Sequence, residues 1–395
     1  MKTNRFYNEV TVDQLRVKEH EVGPFYYYNT SLLKQTLDSI KREIVDTPHF
    51  HVHYAIKANA NVKLLNIIKQ AELGVDCVSG GEVRTAIEVG FDAQKIVFAG
   101  VGKSDKEIEY ALAQGISCFN VESIPELEVI NECAARMKTT AHVAFRINPN
   151  VDAHTHEKIT TGLNENKFGL AMEDMLPAIQ IAKEMEHIEV VGLHFHIGSQ
   201  ILHLEVFKTL CAQINELQLQ LLAAGFTPKS INVGGGLGIN YDNPNEGSIP
   251  DFKMYFQIFK DNLELQNGQQ VHFELGRSIV AQCGALISRV LYMKQGHTKK
   301  FLIIDAGFTE LVRPAMYGSL HYIENLSAVG APVDHYDIVG PICESSDVFA
   351  KDYELPTSSR GDIIAIRSAG AYGEVMASTY NCRTLPQSFL DTEIN

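Results

Sequence analysis

From about residue 50 to 278 the chain alternates short apolar runs with stretches whose apolar positions recur every three or four residues. Runs at 51–57, 74–79, 95–100, 118–123, 142–148, 190–197, 230–235 and 271–276 have the length and composition of strands. Segments such as 62–72, 82–89, 104–114, 124–136, 173–185 and 204–224 carry the helical period. Eight strands separated by helical crossovers predict a (β/α)8 barrel of the TIM type. An open doubly wound sheet alternates in the same way, but the strand count and the size of the segment favour the barrel. From about 279 the rhythm changes. Segments 284–294, 300–305 and 361–367 read as strands joined by turns bearing Gly and Pro, which predicts a second, β-rich domain. The expected division is a barrel over 30–278 and a β domain over 279–395. Residues 1–29, with Phe25-Tyr26-Tyr27-Tyr28, are expected to join the latter.

A chain of 395 residues exceeds what one core usually holds, in keeping with two domains. No apolar run reaches the length of a membrane span, and the N-terminus lacks the apolar stretch of a secretory signal. Seven cysteines (Cys77, Cys118, Cys133, Cys211, Cys283, Cys343 and Cys382) are scattered without a CxxC pair. That favours neither a disulfide framework nor a zinc knuckle, and it fits a reducing cytoplasm. The net charge of −14 disfavours nucleic acid and anionic membranes as partners. A phosphorylated ligand would therefore need a local positive field made of backbone N–H groups and a few arginines.

In such a barrel, function collects at the C-terminal ends of the strands. Those ends carry Lys57, Ser79-Gly80-Gly81-Glu82, Arg146, His196 with Gly198-Ser199, Gly234-Gly235-Gly236, and Glu274 with Arg277. Lys57, closing an apolar strand, is placed where desolvation can tune a Schiff-base amine; a lysine snorkelling to solvent is the plain alternative. The three glycines let backbone N–H groups approach a phosphate, with Ser199 as a further donor, or they simply make a tight turn. Glu274 can hold a protonated pyridine nitrogen, or pair structurally with Arg277. His196 can stack on a ring, while His194 reads as a packed neighbour.

His51-x-His53 and His194-x-His196 also resemble metal-ligand pairs. His51 precedes Lys57 by about 20 Å of extended chain at roughly 3.3 Å per residue, toward the stability face of the barrel. The eighth strand offers glutamate and arginine rather than a metal-binding aspartate. No metal is expected.

Taken in order, these residues resemble the fold-type III enzymes that use pyridoxal 5′-phosphate (PLP), over about residues 25–385. Tyr54–Asn59 is similar to the cofactor-lysine motif, Val78–Glu82 to the second-strand motif, Gly234–Gly238 to the phosphate loop, and Glu274–Arg277 to the glutamate-to-arginine motif. Gly192–Gln200 is similar to the sixth-strand signature of the diaminopimelate decarboxylases. Asp305-Ala306-Gly307, Arg313–Tyr317, Gly340–Ser345 and Ala369–Gly373 stand in the family's order in the second domain. Only Phe308-Thr309-Glu310 departs from the usual wording, at positions without an assigned role.

The resemblance implies an alanine racemase-like arrangement, a PLP-binding barrel with a C-terminal β-sandwich or β-barrel. It implies that Lys57 forms the Schiff base with PLP and that His196, Ser199, Gly235, Gly236, Glu274, Leu275, Gly276, Arg277 and Tyr372 bind the cofactor. Arg277, Arg313, Tyr317, Glu344 and Tyr372 would line the substrate site, with Cys343 as proton donor. A homodimer is implied, in which Cys343 and Glu344 serve the other subunit's site. The expected reaction is decarboxylation of meso-2,6-diaminopimelate to L-lysine, the last step of bacterial lysine synthesis.

Two rival enzymes share the fold, and a carrier protein needing only the barrel is a third alternative. An ornithine-type decarboxylase of polyamine synthesis needs an acidic group, typically an aspartate after the cysteine, to hold a distal amine. Here Glu344 follows Cys343, and Arg313 with Tyr317 suits a second carboxylate. A racemase would weaken the electron sink with an arginine where Glu274 stands. A non-catalytic PLP carrier would not need the second-domain motifs.

Overall fold

The computed structural model describes residues 5–7, 9–151 and 167–394. The chain divides into two compact units, one of Leu37–Gly238 with Asp251–Gly276, the other of Met1–Thr36, Ile239–Pro250 and Arg277–Asn395.

In the first unit eight parallel strands close on themselves. They are Phe50–Ala55, Gly74–Cys77, Ile96–Phe98, Cys118–Val121, Ala141–Asn148, Ile188–Phe195, Ser230–Asn232 and Gln270–Leu275, called the first to eighth strands below. Each pairs with its sequence neighbour, and the first also pairs with the eighth, in the register His53 beside Glu274 and Leu275 beside Tyr54. That last pairing makes a barrel and rules out the open sheet. A two-residue strand, Leu170–Ala171, adds beside the end of the fifth.

Local chemistry fixes where strands give way to helices. The Ser79 hydroxyl accepts from Glu82 N, while the Glu82 carboxylate reaches back to Val78 N at 2.7 Å. This starts helix Gly80–Val89 as a near capping box. Ser123 and Glu126 repeat the device at helix Ile124–Met137. Ser104 and Glu107 do so at Asp105–Gln114. The motif at 78–82 thus has a structural task whatever else it does.

On the outside of the eighth strand, helices Glu205–Ala223 and Phe252–Asn262 bring Phe207, Tyr255, Phe256 and Phe259 against one another, the last three also against Phe273. All are buried, and each such side chain contributes about 1.5–3 kcal/mol by leaving water.

The strand expected to end at Lys57 stops at Ala55. Ile56–Ala58 form a 3-10 turn, closed by Asn59 N to Ile56 O and by the Tyr54 hydroxyl donating to Asn59 O at 2.9 Å. Pairing runs out at this point, because Leu275 is the last residue of the eighth strand and Ala55 is the last to face the second. Lys57 therefore stands on the turn above the strand.

The second unit is built on the long strand Gly284–Gln295. Its first half pairs antiparallel with Phe25–Tyr28 and Ile363–Ile366, its second half with Lys300–Ile304, and a register shift at Val290–Tyr292 separates the halves. One strand so serves two curved arrays, as β-sandwich and barrel corners require. Val333–Val339 and Val348–Pro356 extend one array, Ile323–Asn325 and Gln387–Leu390 the other. Phe25–Tyr28 lies between Gly284–Ile287 and Gln387–Leu390; within 1–29, residues 1–4 and 8 lie outside the described ones. An added Cβ at Gly284 would overlap the Gly370 backbone, so glycine permits that close crossing.

Candidate functional site

At the C-terminal rim of the barrel, Lys57 Nζ lies 3.2 Å from Asp76 Oδ2. Asp76 comes from the second strand and is wholly buried. Glu274, from the eighth strand, accepts from Asn120 Nδ2 at 3.1 Å and Asn232 Nδ2 at 2.7 Å through one oxygen. Its other oxygen meets His194 Nε2 at 2.9 Å. Three strands, the fourth, sixth and seventh, thus aim polar groups at one carboxylate.

Burial alone would push the Glu274 carboxyl up. The facing His194, its hydrogen bond and Lys57 outweigh that and hold it below the usual carboxylate range. Asp76 goes the other way: burial raises its pKa, Glu274 adds to the rise, and Lys57 only partly offsets both. The contrast follows from the neighbours: His194 and Lys57 outweigh burial at Glu274, whereas at Asp76 the Glu274 charge adds to it. Asp76 Oδ1 and His194 Nδ1 are shielded from solvent without a hydrogen-bond partner among the described residues.

His196 follows the sixth strand, and its Nδ1 accepts from Gly235 N at 3.2 Å. Burial, then Arg146 and Lys57, push its pKa well below the ordinary value, so the ring is neutral. The glycine run is compact by necessity. A Cβ at Gly234 would overlap Phe195 O, one at Gly235 would overlap Glu274 O, and Gly234 and Gly236 hold φ of 71° and 114°. Gly276 is similarly tight, with Ala58 3.0 Å from an added Cβ, and Leu275 is buried. Arg146 is occupied by Glu122, 2.9 Å away, and by the face of Phe168.

The neutral imidazole, the anionic Glu274 cage, the amine of Lys57 and the side-chain-free loop suit a flat heterocycle with a protonated nitrogen and an anionic tail. A metal has poorer prospects here. At the opposite end, His53 Nε2 and His272 Nδ1 bond each other at 2.8 Å. Among the described residues no group of three or more ligating side chains is placed to hold a metal ion.

In the second unit, Arg277 Nη1 and Arg313 Nη1 both donate to the Tyr241 hydroxyl oxygen, at 2.6 and 2.8 Å. Arg277 also lies over the Tyr372 ring, 4.9 Å from its centroid. Arg313 opens the short helix Arg313–Tyr317, which ends on half-buried Tyr317. Arg313 as a whole is 5 % exposed. Among the described residues it touches Tyr241, His321 Nε2 at 3.2 Å and Ser319 Oγ, none of them an anion. His321 Nδ1 faces Arg367 O at 2.9 Å, and burial followed by Arg313 pushes its pKa down to about 3.

Cys343 and Glu344 are exposed on a loop gathered around Asp347, whose carboxylate accepts from Ile342 N and Phe308 N. Their own contacts run to Asn381, which accepts from Cys343 N, and to Tyr380, whose hydroxyl donates to Glu344. The expected residues so fall into three groups: the barrel rim, the arginine pair and the exposed loop. Sequence reasoning missed Asp76, Asn120 and Asn232, and it read His194 as a neighbour although it holds Glu274. Polar residues inside apolar strands were the available signal. Tyr241 and His321 lie in segments with no periodic pattern.

Residues 32–281 match the family described as pyridoxal-dependent decarboxylase, pyridoxal binding domain. The chain is 58 % identical to the diaminopimelate decarboxylase of Bacteroides thetaiotaomicron, over 94 % of this chain and 96 % of that protein. It is 41 % identical to the Helicobacter pylori diaminopimelate decarboxylase over 91 % of this chain and 88 % of the other. A crystal structure of the Helicobacter pylori enzyme complexed with L-lysine superposes with a TM-score of 0.88 at 39 % identity, covering 95 % of this chain and 93 % of that one. No helix among the described residues is long and apolar enough to cross a membrane.

Proposed function

Because the chain belongs to the pyridoxal-dependent decarboxylase family, we propose that it removes one carboxyl group of meso-2,6-diaminopimelate as CO2 and leaves L-lysine. Its cofactor in this reading is pyridoxal 5′-phosphate, which when bound accepts the electron pair that the departing CO2 leaves behind. The barrel rim fits that group by its donor set: a carboxylate kept ionised by His194 and Lys57 and held by three hydrogen bonds, beside an amine and a neutral imidazole.

Within this reading Lys57 is the covalent anchor, and Glu274 keeps a proton on the ring nitrogen. His196 would stack on the cofactor ring, the glycines Gly235 and Gly236 with Ser199 would serve its phosphate, and Leu275, Gly276, Arg277 and Tyr372 would complete the cofactor site. Arg277, Arg313, Tyr317, Glu344 and Tyr372 hold the substrate, and the Cys343 thiol delivers the proton that replaces CO2. The enzyme acts in the cytoplasm as a homodimer, Cys343 and Glu344 serving the other subunit's site; their exposure in the single chain supports this.

Arg313 carries the substrate assignment. A guanidinium buried among uncharged partners is a strong attractor for an anion, and diaminopimelate has a second carboxylate where ornithine and lysine have only an amine. The test is turnover of meso-diaminopimelate, ornithine and lysine by wild type and Arg313→Ala, with CO2 and L-lysine measured. Wild type should prefer diaminopimelate, and Arg313→Ala should lose at least tenfold more on it than on any residual substrate. Absence of L-lysine from wild type, or equal losses on all three, overturns the reading.

A further inference from the structure

Tyr241 stands on the loop between the seventh strand and helix Phe252–Asn262, in the same compact unit as the arginine pair. A phenol has two lone pairs and one proton. Both lone pairs of Tyr241 are engaged by cationic donors, Arg277 Nη1 at 2.6 Å and Arg313 Nη1 at 2.8 Å. Its proton is therefore the one hydrogen-bonding capacity left, and among the described residues it goes to no acceptor.

The surroundings hold this arrangement. The Arg313 guanidinium lies 4.8 Å from the Tyr241 ring centroid, and His321 meets that ring edge-on at 5.0 Å. With Nδ1 directed at Arg367 O, the His321 ring presents Nε2 to Arg313 as an acceptor and adds no charge. Two buried guanidinium groups sharing one neutral oxygen repel each other, and an anion placed against them relieves that repulsion. A phenol that accepts from two cations is polarised into a stronger donor.

We propose that Tyr241 is a further reader of the substrate carboxylate that survives the reaction, donating its phenolic proton to an oxygen that the two arginines attract. This rests on the decarboxylase reading above. Meso-diaminopimelate has one D and one L centre, and a product with the L configuration keeps the L carboxylate. L-lysine therefore carries the group that Tyr241 reads, whereas cadaverine has the same carbon chain and amines without any carboxylate.

The experiment compares L-lysine and cadaverine as inhibitors of the PLP-loaded wild-type enzyme and of Tyr241→Phe. Phenylalanine keeps the ring against Arg313 and His321 and removes only the hydroxyl. The inhibition constant for L-lysine should rise about tenfold, as expected for a lost charge-assisted hydrogen bond. That for cadaverine should move less than about twofold, since it has no carboxylate to lose. A purely structural tyrosine would weaken both ligands together, and that outcome overturns the proposal, as does an unchanged constant for L-lysine. Failure of wild type to release CO2 from diaminopimelate would instead strike the decarboxylase reading, and this inference with it.

Discussion

The Lys57 ammonium and the Asp76 carboxylate form a pair of unequal exposure: the lysine side chain is about one-third exposed, its partner not at all. A lysine reaching freely into solvent would need no such partner, which weighs against the snorkelling alternative. Lys57 should therefore be the residue that captures the cofactor. Borohydride reduction of the PLP-loaded protein should fix the label on the peptide containing Lys57, and Lys57→Ala should neither take the label nor turn over. A label recovered on a different lysine would falsify the assignment.

Glu274→Gln should bind cofactor yet lose about a hundredfold or more in turnover, because a neutral amide no longer favours a proton on the ring nitrogen. The amide also sets its own N–H group among three donors, so one hydrogen bond is lost. Cofactor content by absorbance and the rate of CO2 release decide this. A loaded variant with near-normal rate removes Glu274 from the mechanism.

His53 is buried and its pKa lowered to about 4, first by desolvation. Above pH 6.5 the ring is neutral both folded and unfolded and does not affect stability. Between about 6.5 and 4 the unfolded chain binds a proton that the folded one refuses, so stability falls with falling pH. The slope is at most about 1.4 kcal/mol per pH unit for the one group. His53→Gln removes that titration. Its melting temperature should drop less than that of wild type between pH 7 and pH 5; parallel curves would show that His53 does not contribute.

Mixing tests the shared site. Lys57→Ala and Cys343→Ala should each be nearly inactive. Refolded together in equal amounts, about half of the dimers are hybrids by random pairing. If the two residues come from different subunits, a hybrid has one site with both lesions and one with neither, and activity approaches about a quarter of wild type. If both come from one subunit, every site keeps a lesion. A dead mixture with proven subunit exchange rejects the sharing.

The eight barrel strands were legible because their apolar runs are short and separated by helical periods. Their ends were less so. Pairing partners decide where a strand stops, and Ala55 is followed by a turn because the eighth strand runs no further than Leu275. Lys57 and Glu274 stood out as charges beside apolar runs. Asp76, Asn120 and Asn232 did not, since both faces of a barrel strand are buried and periodicity cannot say which side chain points inward. Tyr241 was out of reach for another reason: its partners Arg277 and Arg313 come from distant parts of the chain, and only the folded loop unites them.

The seam that closes the barrel joins His53 to His272, 219 residues apart along the chain. The ribosome makes the lysine long before the glutamate, and a nascent chain halted short of Gln270 holds Lys57 without the carboxylate that would answer it. Such a fragment has an open edge on its first strand and no Glu274 for Asn120, Asn232 and His194 to grip. In the decarboxylase reading, arrival of the last strand therefore completes the wall and delivers the carboxylate that Asn120, Asn232 and His194 grip in one event, and a chain clipped before it has neither.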